Sequence, residues 1–165
     1  MSELRRPLFD LLDKLGIAYT THEHEAIFTV EQGAHIKACL PGGHTKNLFL
    51  KDKSGALFLV CALGDTKIPV NQLHKHLACK RLSFGKPDLM QDVLGVTPGS
   101  VTFFAVMNDR ENRVQLVLDK ALFAHDLVNF HPLENTATTA ICASDMQVFA
   151  KATGHTPIIT DFASI

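Results

Sequence analysis

Two short polar stretches of this sequence carry side chains that could act on a bound substrate. The first, "HTKN" at residues 44–47, places an ammonium and an amide side by side, Lys46 and Asn47, at the start of an apolar run. The second, "NFHPLENTATT" at residues 129–139, holds His131 among hydroxyl and amide groups. Lysine can neutralise a phosphate or a developing oxyanion, and neutral histidine can accept a hydrogen bond from water or an ammonium group. Both stretches also fit a plainer interpretation, in which polar residues mark turns and strand ends.

Several common signatures of catalytic sites are absent. The sequence contains no GxGxxG, GxxxxGK[ST], HExxH or GxSxG motif, which excludes the usual nucleotide, zinc and serine-hydrolase patterns. His22 and His24, like His74 and His76, would share one face of a strand, but neither pair has a third ligand at a clear spacing. We therefore predict no metal site and no cofactor. The four cysteines form no CxxC pair and are expected to be reduced thiols, with Cys61 in the core.

Positive charge is concentrated in one quarter of the chain. The net charge is −1, yet residues 46–86 contain eight Lys or Arg and only two acidic residues. A basic face of this kind can attract phosphate groups without a high overall isoelectric point. The alternative is a solvated face on an ordinary enzyme. Because 46% of the residues are hydrophobic, no apolar run approaches the ~18 residues of a membrane helix and no export signal is evident, we expect one cytoplasmic domain over residues 1–165, without a membrane anchor.

Start and stop signals predict five helices. Proline near the first turn and glycine after the last mark two of them, from Pro7 to Gly16 and from Pro87 to Gly95. Capping-box spacing marks two more, at Thr29 for a helix over residues 30–39 and at Ser144 for a helix to residue 153. Asn71 is expected to cap a short helix that ends at residue 77.

Apolar and β-branched runs predict seven or eight strands between these helices. Two of them form a hairpin around the turn at residues 53–55, and "SVTFFAVMND" and "RVQLVLD" are predicted to be two strands joined by a polar turn. Single helices alternate with short hairpins, so a doubly wound parallel sheet is not expected. The pattern predicts an α+β fold, with a mixed, barrel-like sheet of about seven strands flanked by helices.

Three stretches resemble those of a known family. "GGHTKNLFLKDK", "LGVTPGSVTFFAVMND" and "NFHPLENTATT" occur in the order and at the spacing found in the YbaK/prolyl-tRNA-synthetase-associated editing superfamily. Within it, the chain looks most like the free-standing bacterial ProX or PrdX group, which deacylates alanyl-tRNA(Pro). The resemblance extends from about residue 8 to residue 162 and implies the same barrel-like fold.

The resemblance also implies roles for individual residues. The catalytic lysine, its neighbouring asparagine and the pocket histidine of the family correspond to Lys46, Asn47 and His131. Lys80 and Arg81, in the "KRLSFG" stretch, correspond to positions that touch the tRNA end or acceptor stem. The family's GxxxP loop, whose backbone lines the aminoacyl pocket, corresponds to residues 99–103, with Phe103 in place of proline. The residues expected to bind the aminoacyl group are Gly99, Ser100, Phe103, Asn135 and Thr136.

The implied reaction is hydrolysis of the ester that joins a wrong amino acid to a tRNA 3′-end. The expected substrate is Ala-tRNA(Pro), with Cys-tRNA(Pro) or another small amino acid as an alternative because Phe103 departs from the family pattern. A non-catalytic module that binds tRNA or other nucleic acid is the alternative outside enzymes. Expected partners are tRNA and, as a candidate, prolyl-tRNA synthetase, with the protein itself a monomer or weak homodimer.

Overall fold

Strands and helices alternate irregularly along the chain. The computed structural model describes residues 3–27 and 30–165. The helices are α1 (Arg6–Leu15), α2 (Val30–Cys39), α3 (Val70–Leu77), α4 (Pro87–Leu94) and α5 (Asp145–Ala152). The strands are β1 (Tyr19–Glu23), β2 (Gly43–Asp52), β3 (Leu57–Leu63), β4 (Leu82–Phe84), β5 (Val114–Asp119), β6 (Leu127–Phe130), β7 (Ala137–Cys142) and β8 (Ile158–Thr160).

The strands form one mixed sheet, as the sequence predicts. Their order is β1-β7-β6-β2-β3-β5-β8, and β4 pairs with β2 outside this path. The β2–β6, β3–β5 and β5–β8 pairs are parallel, whereas β2–β3, β2–β4, β1–β7 and β6–β7 are antiparallel. The predicted hairpin around residues 53–55 is the β2–β3 pair. None of the helices within the described part of the chain is long and apolar enough to cross a bilayer.

Strand β3 is buried on both faces because helices and loops cover both sides of the sheet. Leu59 and Cys61 point into the larger core, together with residues of α1, α4 and α5. Phe58 and Val60 point into a smaller cluster on the other side, which includes Leu73 of α3. Strand alternation thus assigns each residue of the paired strand β2 to one of two faces.

One edge of β2 is only partly paired. We call the unpaired part of this edge, residues 45–48, the β2 gap. Along its other edge β2 pairs with β3 over residues 45–51. On the gap side it pairs with β6 at Gly43 and His44 and with β4 at residues 50–52. Between these two contacts no described strand pairs with β2, and residues 45–48 are half-buried.

The stretch "SVTFFAVMND" is not a strand, and the predicted hairpin with β5 is therefore wrong. Residues Phe103–Asn108 form a 3₁₀ helix, whose first N–H, from Phe104, donates to Thr102 Oγ1 at 3.4 Å. Both Phe103 and Phe104 are 0% exposed and pack in the larger core. The strand prediction failed because an unbroken apolar run has no alternation to distinguish a buried strand from a buried helical turn.

The observed helix ends agree with the predicted ones where proline or glycine marks the end in the sequence, and agree less well where a polar capping side chain marks it. Helices α1 and α4 run as predicted, and Gly16 and Gly95 end them with positive φ. Helix α3 starts after Pro69 rather than Asn71, and Ser144 makes no side-chain cap on α5. The third predicted cap, Thr29, lies outside the described residues.

Candidate active site

A cavity of about 230 Å³ lies where the first half of β2 meets the ends of β6 and β7. Strand β2 contributes Thr45 and Asn47 to its wall, and β6 and β7 contribute Phe130 and Thr138. His131, the residue directly after β6, also lines it. The cavity therefore joins the two polar stretches that the sequence singled out, which are more than eighty residues apart along the chain.

Helix α2 covers the other side of the cavity. Gly33, Ile36 and Lys37 of this helix line it, together with Ile27 from the preceding segment. Ile27, Ile36 and Phe130 make part of the wall apolar, and Lys37 is the cation that lines the cavity within the described residues. The site is thus a small chamber in which an apolar patch faces several polar groups at fixed positions.

Asn47 presents an unpaired acceptor to this cavity. The Thr45 hydroxyl donates to the carbonyl oxygen of Asn129 at 2.7 Å, so Thr45 Oγ1 can only accept from Asn47 Nδ2, at 3.3 Å. This fixes the orientation of the amide group. Asn47 Oδ1 is then left buried with no hydrogen-bond partner among the described groups. A buried unpaired acceptor is costly, and a ligand that donates a hydrogen bond would remove that cost.

His131 presents a second acceptor. Its Nδ1 lies 3.0 Å from the carbonyl oxygen of Ala137, which can only accept, so Nδ1 carries the proton. In the neutral ring, Nε2 is therefore the bare nitrogen. Burial lowers the pKa of His131 below its ordinary value of 6.5; the Ala137 hydrogen bond acts in the opposite direction and the nearby His24 adds to the lowering. The environment thus favours the neutral, accepting form.

His24 supports this arrangement from the end of β1. Its ring centroid lies 6.4 Å from that of His131. Nδ1 lies 2.7 Å from the Glu25 carbonyl oxygen and must donate to it, which leaves Nε2 of the neutral ring to accept from the Thr138 hydroxyl at 2.8 Å. His24 therefore fixes the Thr138 hydroxyl at the cavity wall. The sequence pattern indicated His24 only as half of a metal pair.

Lys46 lies beside the cavity but is not part of its wall. Strand alternation places its side chain on the face of Leu48 and Leu50, opposite the face of Thr45 and Asn47. Lys46 is half-buried, and it makes no side-chain hydrogen bond or ion pair within residues 3–27 and 30–165. An unpaired ammonium at the β2 gap is available to an anionic partner.

Three residues expected to bind the aminoacyl group, Gly99 and Ser100 of the GxxxP-like loop and Asn135, do not line the cavity. Asn135 Nδ2 donates to the carbonyl oxygen of Ile27 at 2.6 Å, and so holds a residue that lines the cavity. Gly99 has φ +90°, and a Cβ there would meet only Asn135 Nδ2, at 3.7 Å. Ser100 is buried, and its N–H donates to the Thr97 carbonyl at 3.0 Å. Of the three, only Asn135 is seen to contact the segment that shapes the cavity.

Phe103 and Thr136 also point elsewhere. Phe103 packs in the core against Phe130, with ring centroids 5.1 Å apart, and so reaches the cavity only through that ring. The Thr136 hydroxyl accepts from Arg5 Nη2 at 2.9 Å. Arg5 is 4% exposed and also pairs with Glu23 and Glu134. Arg5 thereby ties the end of β1 to the loop that carries His131.

Lys80 and Arg81 lie at the opposite end of β2 from the cavity. Lys80 N–H donates to Asp52 Oδ2 at 3.1 Å, and the Arg81 carbonyl accepts from Lys53 N–H at 3.1 Å. Both side chains are exposed. Their side chains therefore do not line the cavity.

The histidine pairs do not form a metal site. His74 and His76 lie on α3, where residues two apart do not share a face, so the strand arrangement considered for them is wrong. His22 and His24 lie 6.2 Å apart between ring centroids. Within the residues that the structure describes, no group of three or more His, Cys, Asp or Glu side chains could hold a metal ion.

Comparison with known proteins identifies the family and the fold of this chain. Residues 24–149 match the model of the family described as "Aminoacyl-tRNA editing domain". The "Prolyl-tRNA synthetase associated domain-containing protein 1" of Danio rerio is 38% identical over 162 residues, 97% of this chain and 88% of that protein. The "Prolyl-tRNA editing protein ProX" of Acetoanaerobium sticklandii is 37% identical over 146 residues, 88% of this chain and 89% of that protein. A crystal structure of a protein proposed to be a trans-editing enzyme for prolyl tRNA synthetase shares the fold, with a TM-score of 0.73 at 16% identity over 98% of this chain and 97% of that chain.

Proposed function

Because the chain belongs to the aminoacyl-tRNA editing domain family, we propose that it hydrolyses the ester of mischarged Ala-tRNA(Pro), acting in trans. The observation that carries the proposal is a cavity of about 230 Å³ with two acceptors on its wall, the buried Asn47 Oδ1 and His131 Nε2. Together they suit the α-ammonium group of a small amino acid. The relative named for prolyl-tRNA editing supports the choice of tRNA.

The chemistry requires positioning more than a strong nucleophile. An aminoacyl ester is already reactive, so an oriented water and a fixed carbonyl group are sufficient for large acceleration. In the proposed complex Asn47 and His131 hold the amino acid by its ammonium group. Lys46 binds a phosphate near the 3′-end from the opposite face of β2. The ribose 2′-hydroxyl, which RNA alone provides, assists the attack, and no metal takes part.

Size selection follows from the apolar wall. Ile27, Ile36 and Phe130 bound the cavity, and Phe103 packs behind Phe130. A synthetase pocket for proline cannot fully reject a smaller amino acid, since a missing methylene costs only about 1–3 kcal/mol. A second, smaller chamber can remove the product that escapes. Phe103 stands in place of the family's proline and packs behind Phe130. Through this contact, the departure from the family pattern would change the shape of the chamber.

The proposal is tested with a panel of tRNA(Pro) charged with alanine, cysteine or proline. We expect alanine to be released at least about 100-fold faster than proline, because steric exclusion exceeds what a missing methylene provides. The rate should be unchanged by a strong chelator. Faster release of cysteine would support the alternative substrate. Salt-sensitive binding of every tRNA with no release at all would instead support the non-catalytic module.

The proposed protonation state of His131 predicts the pH dependence of turnover. Only the neutral ring has a free acceptor, and its pKa lies below 6.5. We therefore expect kcat/KM for Ala-tRNA(Pro) to show no effect of His131 protonation at neutral pH and to fall only as the pH drops through this lowered pKa. The measurement is a pH–rate profile between about pH 5 and 8, the range in which a histidine changes charge.

His131→Gln provides the matched control for that profile. Its amide oxygen can accept a hydrogen bond near the position of Nε2 but does not titrate in this range. We expect partial activity without the acidic limb. An unchanged limb in this variant would show that another group sets it, and complete loss of activity would favour a proton-accepting role for His131 over binding of the ammonium group.

The proposal extends to the protein's surroundings. One domain over residues 1–165 acts in the cytoplasm on tRNA, as a monomer or weak homodimer, and needs no cofactor. Prolyl-tRNA synthetase is a candidate partner, because the Danio rerio relative is named as a synthetase-associated domain protein. Co-purification of the two proteins in the presence of nuclease would distinguish direct contact from a shared tRNA.

A further inference from the structure

A basic edge with an exposed aromatic ring lies at the far end of β2. Strand β4 pairs with β2 so that Phe84 lies opposite Leu50 and Ser83 opposite Lys51. Phe84 is 63% exposed, more than any other exposed large hydrophobic side chain in the described residues. Its backbone is held in the sheet, and the next residue, Gly85, donates its N–H to the Phe49 carbonyl at 2.8 Å. The ring is therefore presented to solvent from a fixed position.

Several cations lie near Phe84 along the chain and on the end of β2 that pairs with β4. We call residues 51–53 and 80–86 the β4 strip. Its one carboxylate, Asp52, is 3% exposed and accepts hydrogen bonds from Ser54, Ala56 and Lys80, and these bonds lower its pKa to about 2. No cation of the strip takes part in an ion pair with any described residue. These cations are Lys51, Lys53, Lys80, Arg81 and Lys86.

Protection of a sheet edge explains only part of this composition. Lysines on an edge strand prevent unwanted pairing with another sheet. An exposed phenylalanine has the opposite effect, because it adds apolar surface to the same edge. Surfaces that bind unpaired nucleic acid combine these two features, with cations along the backbone and an aromatic ring under a base.

We propose that the β4 strip is a stacking platform for an unpaired nucleotide of the tRNA, with a base on Phe84 and the flanking phosphates on the cations. This inference rests on the proposed function, in which tRNA is the substrate. Arg81 is placed to bind a phosphate here, next to Lys53. The contact with the base is independent of its sequence, because every base has a π-face.

The position of the strip relative to the cavity fits the length of an unpaired 3′-end. Leu50, opposite Phe84, is three residues from Asn47, on the order of 10 Å along the strand. A stacked strand rises about 3.4 Å per nucleotide, so roughly three nucleotides cover this distance. Strand alternation puts Phe84 on the same face as Lys46. In the proposed complex the terminal ester reaches the face of Asn47 at the β2 gap, where no described strand pairs with this edge of β2.

The test measures binding of a fluorescein-labelled single-stranded RNA that ends in CCA, by anisotropy over a range of salt concentrations. Phe84→Leu keeps an apolar side chain and removes the ring, so we expect the Kd to rise about 5- to 100-fold with an unchanged salt slope. Phe84→Trp should bind at least as tightly as the wild type. Arg81→Gln should make the slope of log affinity against log salt shallower by about 1, because one phosphate contact is lost. Ile159→Ala, at an exposed apolar position on β8, is the matched control and should bind normally.

Three results would overturn the stacking platform. They are wild-type protein that does not bind the RNA, Phe84→Leu that binds as well as the wild type, and a wild-type dimer that Phe84→Leu dissociates in sedimentation, which would place a second copy on the ring. The RNA carries no amino acid, so the result does not depend on deacylation. Loss of stacking in Phe84→Leu together with no hydrolysis of any charged tRNA would leave the platform standing and reject the proposed function alone.

Discussion

Asn47→Leu should lower kcat/KM for Ala-tRNA(Pro) by at least about 100-fold, the typical effect of removing one preorganised hydrogen-bonding group from an active site. Leucine has nearly the same size but no acceptor. In the free protein Asn47 Oδ1 is buried without a partner, so the unliganded fold already carries the cost of removing it from water. A hydrogen-bond donor on the substrate offsets that cost on binding. The leucine variant has no buried oxygen, so its binding of the substrate gains no such hydrogen bond.

The same argument gives the opposite sign for stability. Asn47→Leu loses only the 3.3 Å bond to Thr45 and gains an apolar side chain in place of an unpaired oxygen. We therefore expect its Tm to equal or exceed that of the wild type, measured by thermal unfolding. Asn108→Leu is the matched control, since it also loses an amide bond, to the Leu94 carbonyl, but lies away from the cavity. Reduced activity in both variants, or a large drop in Tm for Asn47→Leu, would contradict a role specific to the cavity.

The fold could be predicted from the sequence wherever one local signal dominated. Pro7 and Gly16 bracket α1 because proline fits a first turn and glycine adopts the left-handed conformation that ends a helix. The stretch at Phe103 could not be predicted. Five consecutive apolar residues follow Thr102, and the Thr102 hydroxyl favours the 3₁₀ turn by accepting from Phe104. That hydrogen bond can determine the local conformation only when the surrounding core already holds the chain in place.

The sequence was sufficient to predict which two stretches form the site, but not which of their side chains line the cavity. Both "HTKN" and "NFHPLENTATT" reach the same cavity, and the family assigned from them is confirmed by the match over residues 24–149. The wall, however, uses Thr45, Phe130 and Thr138, because the pairing of β2 with β6 and of β6 with β7 decides which side chains face inward. Pairing register joins distant parts of the chain, and no single stretch of sequence contains it.

The unpaired ammonium of Lys46 suggests the second large effect. Lys46→Met keeps most of the stem and removes the charge, and we expect kcat/KM for Ala-tRNA(Pro) to fall by about 100-fold or more at low salt, because a lost charged contact also misplaces the ester. The chain should stay folded, since Lys46 is half-buried and its side chain has no partner within the part of the chain that the structure describes. Lys46→Arg should retain much of the activity.

Salt dependence separates the two roles that lysine could have here. If Lys46 binds a phosphate, Lys46→Met loses one counterion-releasing contact, and the plot of log affinity for tRNA against log salt becomes shallower by about 0.7–0.9. If it instead stabilises the oxyanion, kcat falls while that slope is unchanged. The alternation of β2, which turns Lys46 away from Thr45 and Asn47, favours the phosphate. Lys151→Met on α5 is the control for loss of a distant charge, and an equal loss of activity there would remove the special role of Lys46.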